Sequence, residues 1–172
     1  MSYPFEALPL QPITANNNAD FQVYAIIEQA AGDTERSVWD EAKRSFIKTG
    51  MTLSVPWPVP YGWIPQTRNP GDGDPLDVLL LTQAPVAQGS YLIVRPVGVL
   101  LRHDQDHKVL AVDVQDERFG QIQDYAQLSQ RTLTRIEDWF RPYFILDGWD
   151  DAARARQMIE QAHATFLDEA GE

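Results

Sequence analysis

A chain of 172 residues can bury a substantial core in one domain, and its 44% apolar residues, with 5 Trp, 6 Tyr and 7 Phe, are those of a folded protein. The formal net charge of −11 removes the basic footprint that nucleic-acid phosphates or an anionic membrane require, so neither partner is expected. With no cysteine, disulfides and thiolate metal sites are excluded.

In chain order, residues 1–20 carry three prolines and an "NNN" run and read as an irregular arm, with one domain expected over 21–172. The opening lacks the basic start and apolar run of a signal peptide. No stretch reaches the ~20 apolar residues of a membrane span, so a soluble cytoplasmic protein is expected. "FQVYAIIE" (21–28) is rich in branched and aromatic residues and predicts a strand. Residues 33–50 are mixed and charged and give no clear period. From 55 to 75 six prolines exclude a helix and predict rigid extended or turn backbone over a surface. "DVLLLT" (77–82), "SYLIVRPVGVLL" (90–101) and "KVLAVDV" (108–114) predict three more strands, the last two joined as a hairpin through "RHDQDH". Beyond residue 123 the period becomes helical: Leu133, Ile136, Phe140 and Tyr143 share a face, with Pro142 near the helix end. Asp150 is the expected N-cap of a last helix whose Ala155, Met158, Ile159, Ala162 and Phe166 form an apolar stripe. Strands first and helices last predict an α+β fold, a small closed OB-like β-barrel with covering C-terminal helices.

The chemistry concentrates in "DGDPLD" (72–77), three carboxylates running straight into a buried strand. Oxygen-only clusters suit hard cations, Mg²⁺ or Mn²⁺ before Zn²⁺. An EF-hand fails, because its sixth and twelfth positions hold Asp77 and Gln83 where Gly and Glu are needed. A surface turn whose aspartates accept backbone N–H bonds is the plain alternative. A second acidic point, Asp104 and Asp106, lies at the hairpin tip between His103 and His107, with Lys108 opening the next strand. Solvated histidines are the expectation there, ahead of ligation. Five carboxylates and a lysine match what metal-bridged phosphate chemistry requires: cations that neutralise phosphate oxygens and activate water, and a donor for the departing phosphate.

These residues resemble the soluble (family I) inorganic pyrophosphatases. "DGDPLDVLLL" matches that family's D-G-D-P-x-D-V-L signature, with "YGW" (61–63) before it, "RPVGVL" and "KVLAV" after it, and "GWDDAARA" opening the last helix. The resemblance implies that Asp72, Asp77, Asp104 and Asp106 bind Mg²⁺, with Mn²⁺ as the other candidate, and that Glu28 reaches the metals through water. It implies Asp74 as the group that orients and deprotonates the attacking water, and Tyr61, Lys108 and Tyr143 as phosphate donors. Hydrolysis of pyrophosphate to two orthophosphates is the implied activity. A homo-oligomer, often a hexamer in bacteria, is the implied assembly. The chain departs from the pattern where phosphate is gripped. "DTERSVWDE" lacks the family's K-x-E, "RSFIKTG" offers only Lys48 where an arginine is usual, and the Tyr-Lys pair after the long helix is Tyr143-Phe144. Lys48 lacks the bidentate fork of arginine, and Arg36, Lys43 and Arg44 are the nearby cations. A homologue with weak or no pyrophosphatase activity, acting on another small phosphoanhydride or as a metal- or phosphate-binding partner subunit, is the alternative.

Overall fold

The computed structural model describes residues 5–12 and 20–171. Part of the expected arm, residues 1–4 and 13–19, lies outside them. Eight strands and two α-helices follow: β1 (Val23–Gln29), β2 (Glu35–Asp40), β3 (Ser45–Thr52), β4 (Tyr61–Trp63), β5 (Asp77–Leu81), β6 (Tyr91–Arg102), β7 (Lys108–Asp113), α1 (Gln130–Phe140), β8 (Leu146–Asp151) and α2 (Ala152–Ala170).

The barrel follows from the branched and apolar runs. Strands pair in the order β1-β4-β5-β7-β6, and β6 returns to β1, so five strands close a ring with no open edge. All pairs in the ring are antiparallel except β5–β7, where Val78 to Leu81 run alongside Val109 to Val112. Both runs are apolar without alternation because both of their faces are covered. Val78, Leu80, Val109 and Ala111 join the cluster that includes Ala155 and Ile159 of α2. Leu79, Leu81, Leu110 and Val112 join the cluster that includes Leu133, Ile136 and Phe140 of α1. A fully buried Val, Leu, Ile or Phe side chain of this kind contributes roughly 1.5–3 kcal/mol. The α+β reading and the closed barrel hold.

Each helix forms as its pattern directs. The α1 face Leu133, Ile136 and Phe140 is buried, and Ser129 caps its start by accepting from the Thr132 amide. The helix ends at Phe140, so Tyr143 lies beyond it, more than half exposed. In α2 the stripe residues Ala155, Ile159 and Ala162 are buried. Its cap is Asp151, accepting from the Arg154 amide, one residue past the expected Asp150. Asp150 is taken by a strand the sequence does not announce, β8, which pairs with β6.

Two further elements differ from expectation. Residues 35–52 form the β2–β3 hairpin, whose largely exposed outer strand explains the missing period. The proline-rich stretch is more than a surface passage: its Tyr61–Trp63 segment is the barrel strand β4, and Trp57, Val59, Ile64 and Thr67 are buried. Ahead of the barrel, Phe5 and Leu8 pack with Ile26, and Phe5 meets the Trp39 and Trp63 rings edge-on.

Candidate active site

A cleft of about 940 Å³ opens between the barrel, the hairpin and the end of α1. Residues from the "DGDP" loop, from β1, β4 and β7, and from the segment after α1 line it.

The first acidic loop is built by its own backbone. Gly73 adopts φ +75°, a conformation open to glycine at no steric cost. Around it the Gly73 amide donates to the Asn69 carbonyl at 2.8 Å, the Asn69 amide to the Asp74 carbonyl at 2.7 Å, and the Asp74 amide to Asp72 Oδ1 at 2.9 Å. The turn therefore holds Asp72 and Asp74 exposed on the cleft wall. Among the described residues no group donates to the Asp74 carboxylate, which leaves its oxygens open to the cleft's contents.

Three residues later the chain enters β5 with Asp77 as its first residue, beside β7, which opens with Lys108. The Lys108 ammonium, almost completely buried, donates to Asp77 Oδ2 at 2.5 Å and sits 3.1 Å from Asp106 Oδ2. One cation thus bridges the two acidic loops. Burial pushes the Asp77 carboxyl up against the opposing pull of Lys108. Burial also drives the Tyr61 phenol well above its ordinary range, helped by the neighbouring Asp77 carboxylate. Tyr61 therefore stays a neutral hydroxyl near neutrality, beside the Asp77 carboxylate. Its ring stacks on Trp57, which in turn stacks on Trp139 of α1.

Glu28 closes this group from β1. Its Oε2 accepts from the Trp39 amide at 3.0 Å, which aims the carboxyl into the cleft. Burial is the main reason its pKa rises to about 6, with the Asp77 and Asp74 charges adding to it and the Trp39 bond and Arg36 opposing it. A carboxyl held at about 6 when folded and 4.5 when unfolded binds more protons in the native state between those values. Stability therefore falls as pH rises through that window, and above it the ionised Glu28 costs at most about 2 kcal/mol. Glu28→Gln keeps an acceptor for Trp39 and is expected to raise the stability of the chelator-treated protein by up to about 2 kcal/mol at pH 7. In denaturant melts at several pH values, the gain should vanish below pH 4.5. A gain independent of pH would remove the buried charge as its cause.

The second loop is held by an arginine that sequence reasoning passed over. Arg102, last residue of β6 and only 6% exposed, donates Nε and Nη2 to the two oxygens of Asp104, and its Nη1 lies 3.6 Å from Asp106. Its bond to Arg102 holds the Asp104 carboxyl below the usual carboxylate range. The guanidinium lies 3.4 Å from the centre of the Phe144 ring. A signal was present: Arg102, Asp104 and Asp106 fall at every second residue across the strand end and turn. The histidines go elsewhere. His107 Nδ1 accepts from the Arg102 amide, and His103 faces Asp147 at 3.3 Å.

Of the expected residues, Glu28, Tyr61, Asp72, Asp74, Asp77, Asp106, Lys108 and Tyr143 line the cleft, and Asp104 is tied to it through Arg102. Lys48 does not come to it. In β3 it stands opposite Ser37, mostly exposed, with its ammonium on Glu35. Arg36, one residue before Ser37, lines the cleft instead. Arg44 does not line it either, and faces Glu6, which does, at 3.9 Å.

Among the described residues no three carboxylates or imidazoles are already drawn together as a cation's ligand set. Lys108 pairs with Asp77 and Asp106, and Arg102 with Asp104. The donor set is nonetheless of the right kind. It is all oxygen, negative in excess of its two cations, and brought to one ammonium from two loops, so it fits a hard divalent ion.

Comparison with known proteins agrees with this geometry. The family model for inorganic pyrophosphatase matches residues 25–167. The chain belongs to the inorganic pyrophosphatase family. An inorganic pyrophosphatase of Haloferax volcanii is 34% identical over 157 residues, which cover 84% of this chain and 88% of that protein. One from Xylella fastidiosa is 33% identical, covering 92% and 97%. Among solved structures, the inorganic pyrophosphatase from Ehrlichia chaffeensis superimposes with a TM-score of 0.78 at 33% identity, covering 88% of this chain and 99% of that one. The Thermus thermophilus enzyme reaches 0.84 at 26% identity, covering 95% and 98%. Membership implies an enzyme acting on a phosphorus-containing anhydride and a divalent metal cofactor. Among the described residues no helix is long and apolar enough to cross a membrane.

Proposed function

We propose that this chain hydrolyses inorganic pyrophosphate to two orthophosphates and uses Mg²⁺ to do so, with Mn²⁺ able to replace it. The observation that carries the reading is the meeting of two acidic loops at the buried Lys108 ammonium on the wall of a cleft large enough for a small anhydride. Asp72, Asp77, Asp104 and Asp106 would hold the divalent ions, with Glu28 behind them. When bound, such ions neutralise phosphate charge and make water acidic enough to attack near pH 7.

The chain's own groups divide the remaining work. Asp74 orients the attacking water and takes its proton as the oxygen–phosphorus bond forms. The bond from phosphorus to the bridging oxygen breaks, and its electron pair stays on the departing phosphate. Lys108 and the neutral Tyr61 hydroxyl lie on the wall that meets this charge, and Arg36 and Tyr143 add donors at the rim. Donors of this kind act on phosphate oxygens that gain charge as the bond opens, which stabilises the transition state over the ground state.

The test is phosphate release by purified protein with Mg²⁺, across pyrophosphate, triphosphate and nucleoside triphosphates. Pyrophosphate is expected to be turned over fastest, and Mn²⁺ to support a measurable rate. No release above a metal-only blank would overturn the reading, and faster turnover of another anhydride would replace the substrate. A cytoplasmic homo-oligomer, a hexamer among the candidates, belongs to the same proposal, and light scattering on the purified protein measures its mass.

A further inference from the structure

Among the described residues two arginines are almost completely buried, and their surroundings differ in kind. Arg95 donates to both oxygens of Asp20 and to the carbonyls of Gly120 and Ile122, a set of bonds that needs nothing more. It is a structural pin between β6 and the chain beyond β7. Arg102 has no carbonyl partner among the described residues. Its side-chain bonds go to Asp104 and its remaining ion pair to Asp106, and its flat face lies on Phe144 at the cleft wall.

Asp104 and Asp106 are also among the carboxylates that would hold divalent ions. An oxygen that ligates a cation gives up charge to it and is a weaker partner for the guanidinium fork. As these carboxylates turn to a cation, Arg102 loses its counter-charges while its stem and ring stacking hold it in place. A buried guanidinium short of partners is costly. The cleft beside it is where an anion would restore the pairing. Its planar fork suits phosphate oxygens bidentately, and a lysine would not match it.

We propose that Arg102 is a phosphate-binding residue of this site, released from Asp104 and Asp106 by divalent-cation binding and then paired with an oxygen of the phosphate substrate. The proposal rests on the pyrophosphatase reading and adds to it a donor from β6 that also couples the two ligands. Cation and phosphate bind with positive cooperativity, because each removes a cost the other would meet alone. In the substrate-free protein Arg102 competes with the cation. With phosphate present it assists.

The experiment uses Arg102→Met, whose unbranched side chain can still cover Phe144, and Arg102→Lys, which keeps a charge without the fork. Mn²⁺ binding to the substrate-free protein is read by electron paramagnetic resonance. Binding of methylenediphosphonate, a non-hydrolysable diphosphate, is read by calorimetry at saturating Mn²⁺. Arg102→Met is expected to bind Mn²⁺ severalfold more tightly and methylenediphosphonate at least tenfold more weakly, with Arg102→Lys between it and the wild type on the second measure. These opposite signs are the signature, because a residue that only supports the fold would weaken both. Equal signs, or no change in diphosphonate affinity, overturn the proposal. Should Arg102→Met fail to fold, Arg102→Lys decides by the same two signs. The pyrophosphatase reading is judged separately, by phosphate release from the wild type. A wild type that hydrolyses pyrophosphate beside an Arg102→Met variant of unchanged diphosphonate affinity removes Arg102 alone.

Discussion

Replacing Asp74 by asparagine is expected to lower phosphate release by ~10²–10⁴-fold, the usual contribution of a positioned base, with the fold and Mn²⁺ binding retained. The argument starts from the loop. Every bond that shapes it uses the backbone or a different side chain: Asn69 to Asp74 and Gly73 to Asn69 between main-chain atoms, the Gly71 amide to Asn69 Oδ1, and the Asp74 amide to Asp72 Oδ1. None of these needs the Asp74 carboxylate. Asparagine has the same shape, so the turn, Asp72 and the entry into β5 should be unchanged. What is lost is an oxygen able to take a proton from water. Steady-state phosphate release, paired with Mn²⁺ titration of the same preparation, checks both halves. A variant of full activity would remove Asp74 from its role. A variant that also fails to bind Mn²⁺ would make it a ligand and leave the base to be found elsewhere.

How much of this was legible beforehand depends on whether a residue's role is local. The carboxylates of "DGDPLD" announce themselves because a tight glycine turn and a buried strand are both written within ten residues. The strands β1, β5, β6 and β7 could be read for the same reason, each being a branched or apolar run between turn residues. The hairpin β2–β3 could not. Its outer strand is mostly exposed, so nothing in its composition alternates. Strand β8 was hidden differently: "LDGWDD" is acidic, and only its pairing with β6 makes it a strand. Lys48 shows the limit at the site. It has the right charge at roughly the right distance along the chain, yet its strand position turns it toward Glu35, while Arg36 on the neighbouring strand reaches the cleft. Arg102 shows the converse, since its burial depends on Phe144, which lies 42 positions further on and meets it only through tertiary packing.

The largest effect on stability is expected at Gly62, in the middle of "YGW". Here β4 lies between β1 and β5, and Gly62 pairs with Ile27 on one side and Val78 on the other. A Cβ placed on Gly62 would lie 1.8 Å from the Ile26 carbonyl oxygen and 2.8 Å from its carbon. Those are backbone atoms of the fully buried Ile26, so no side chain can swing aside to relieve the overlap. The strands themselves must separate, next to the point where β1 already shifts register between Ile27 and Gln29. Gly62→Ala should therefore destabilise the protein by about 3 kcal/mol or more, at or beyond the usual range for overpacking. The damage should reach function as well, because Tyr61 and Glu28 lie on the two strands that are forced apart. In a variant that still folds, a weaker hold on the Glu28 carboxyl should let water in and return its pKa from about 6 toward 4.5. Denaturant melts measure the first effect, and the pH dependence of those melts, compared with wild type, measures the second. A Gly62→Ala protein as stable as wild type would mean that β1 and β4 can part at no cost, and that the close approach holding Tyr61 beside Glu28 is not a constraint of the barrel.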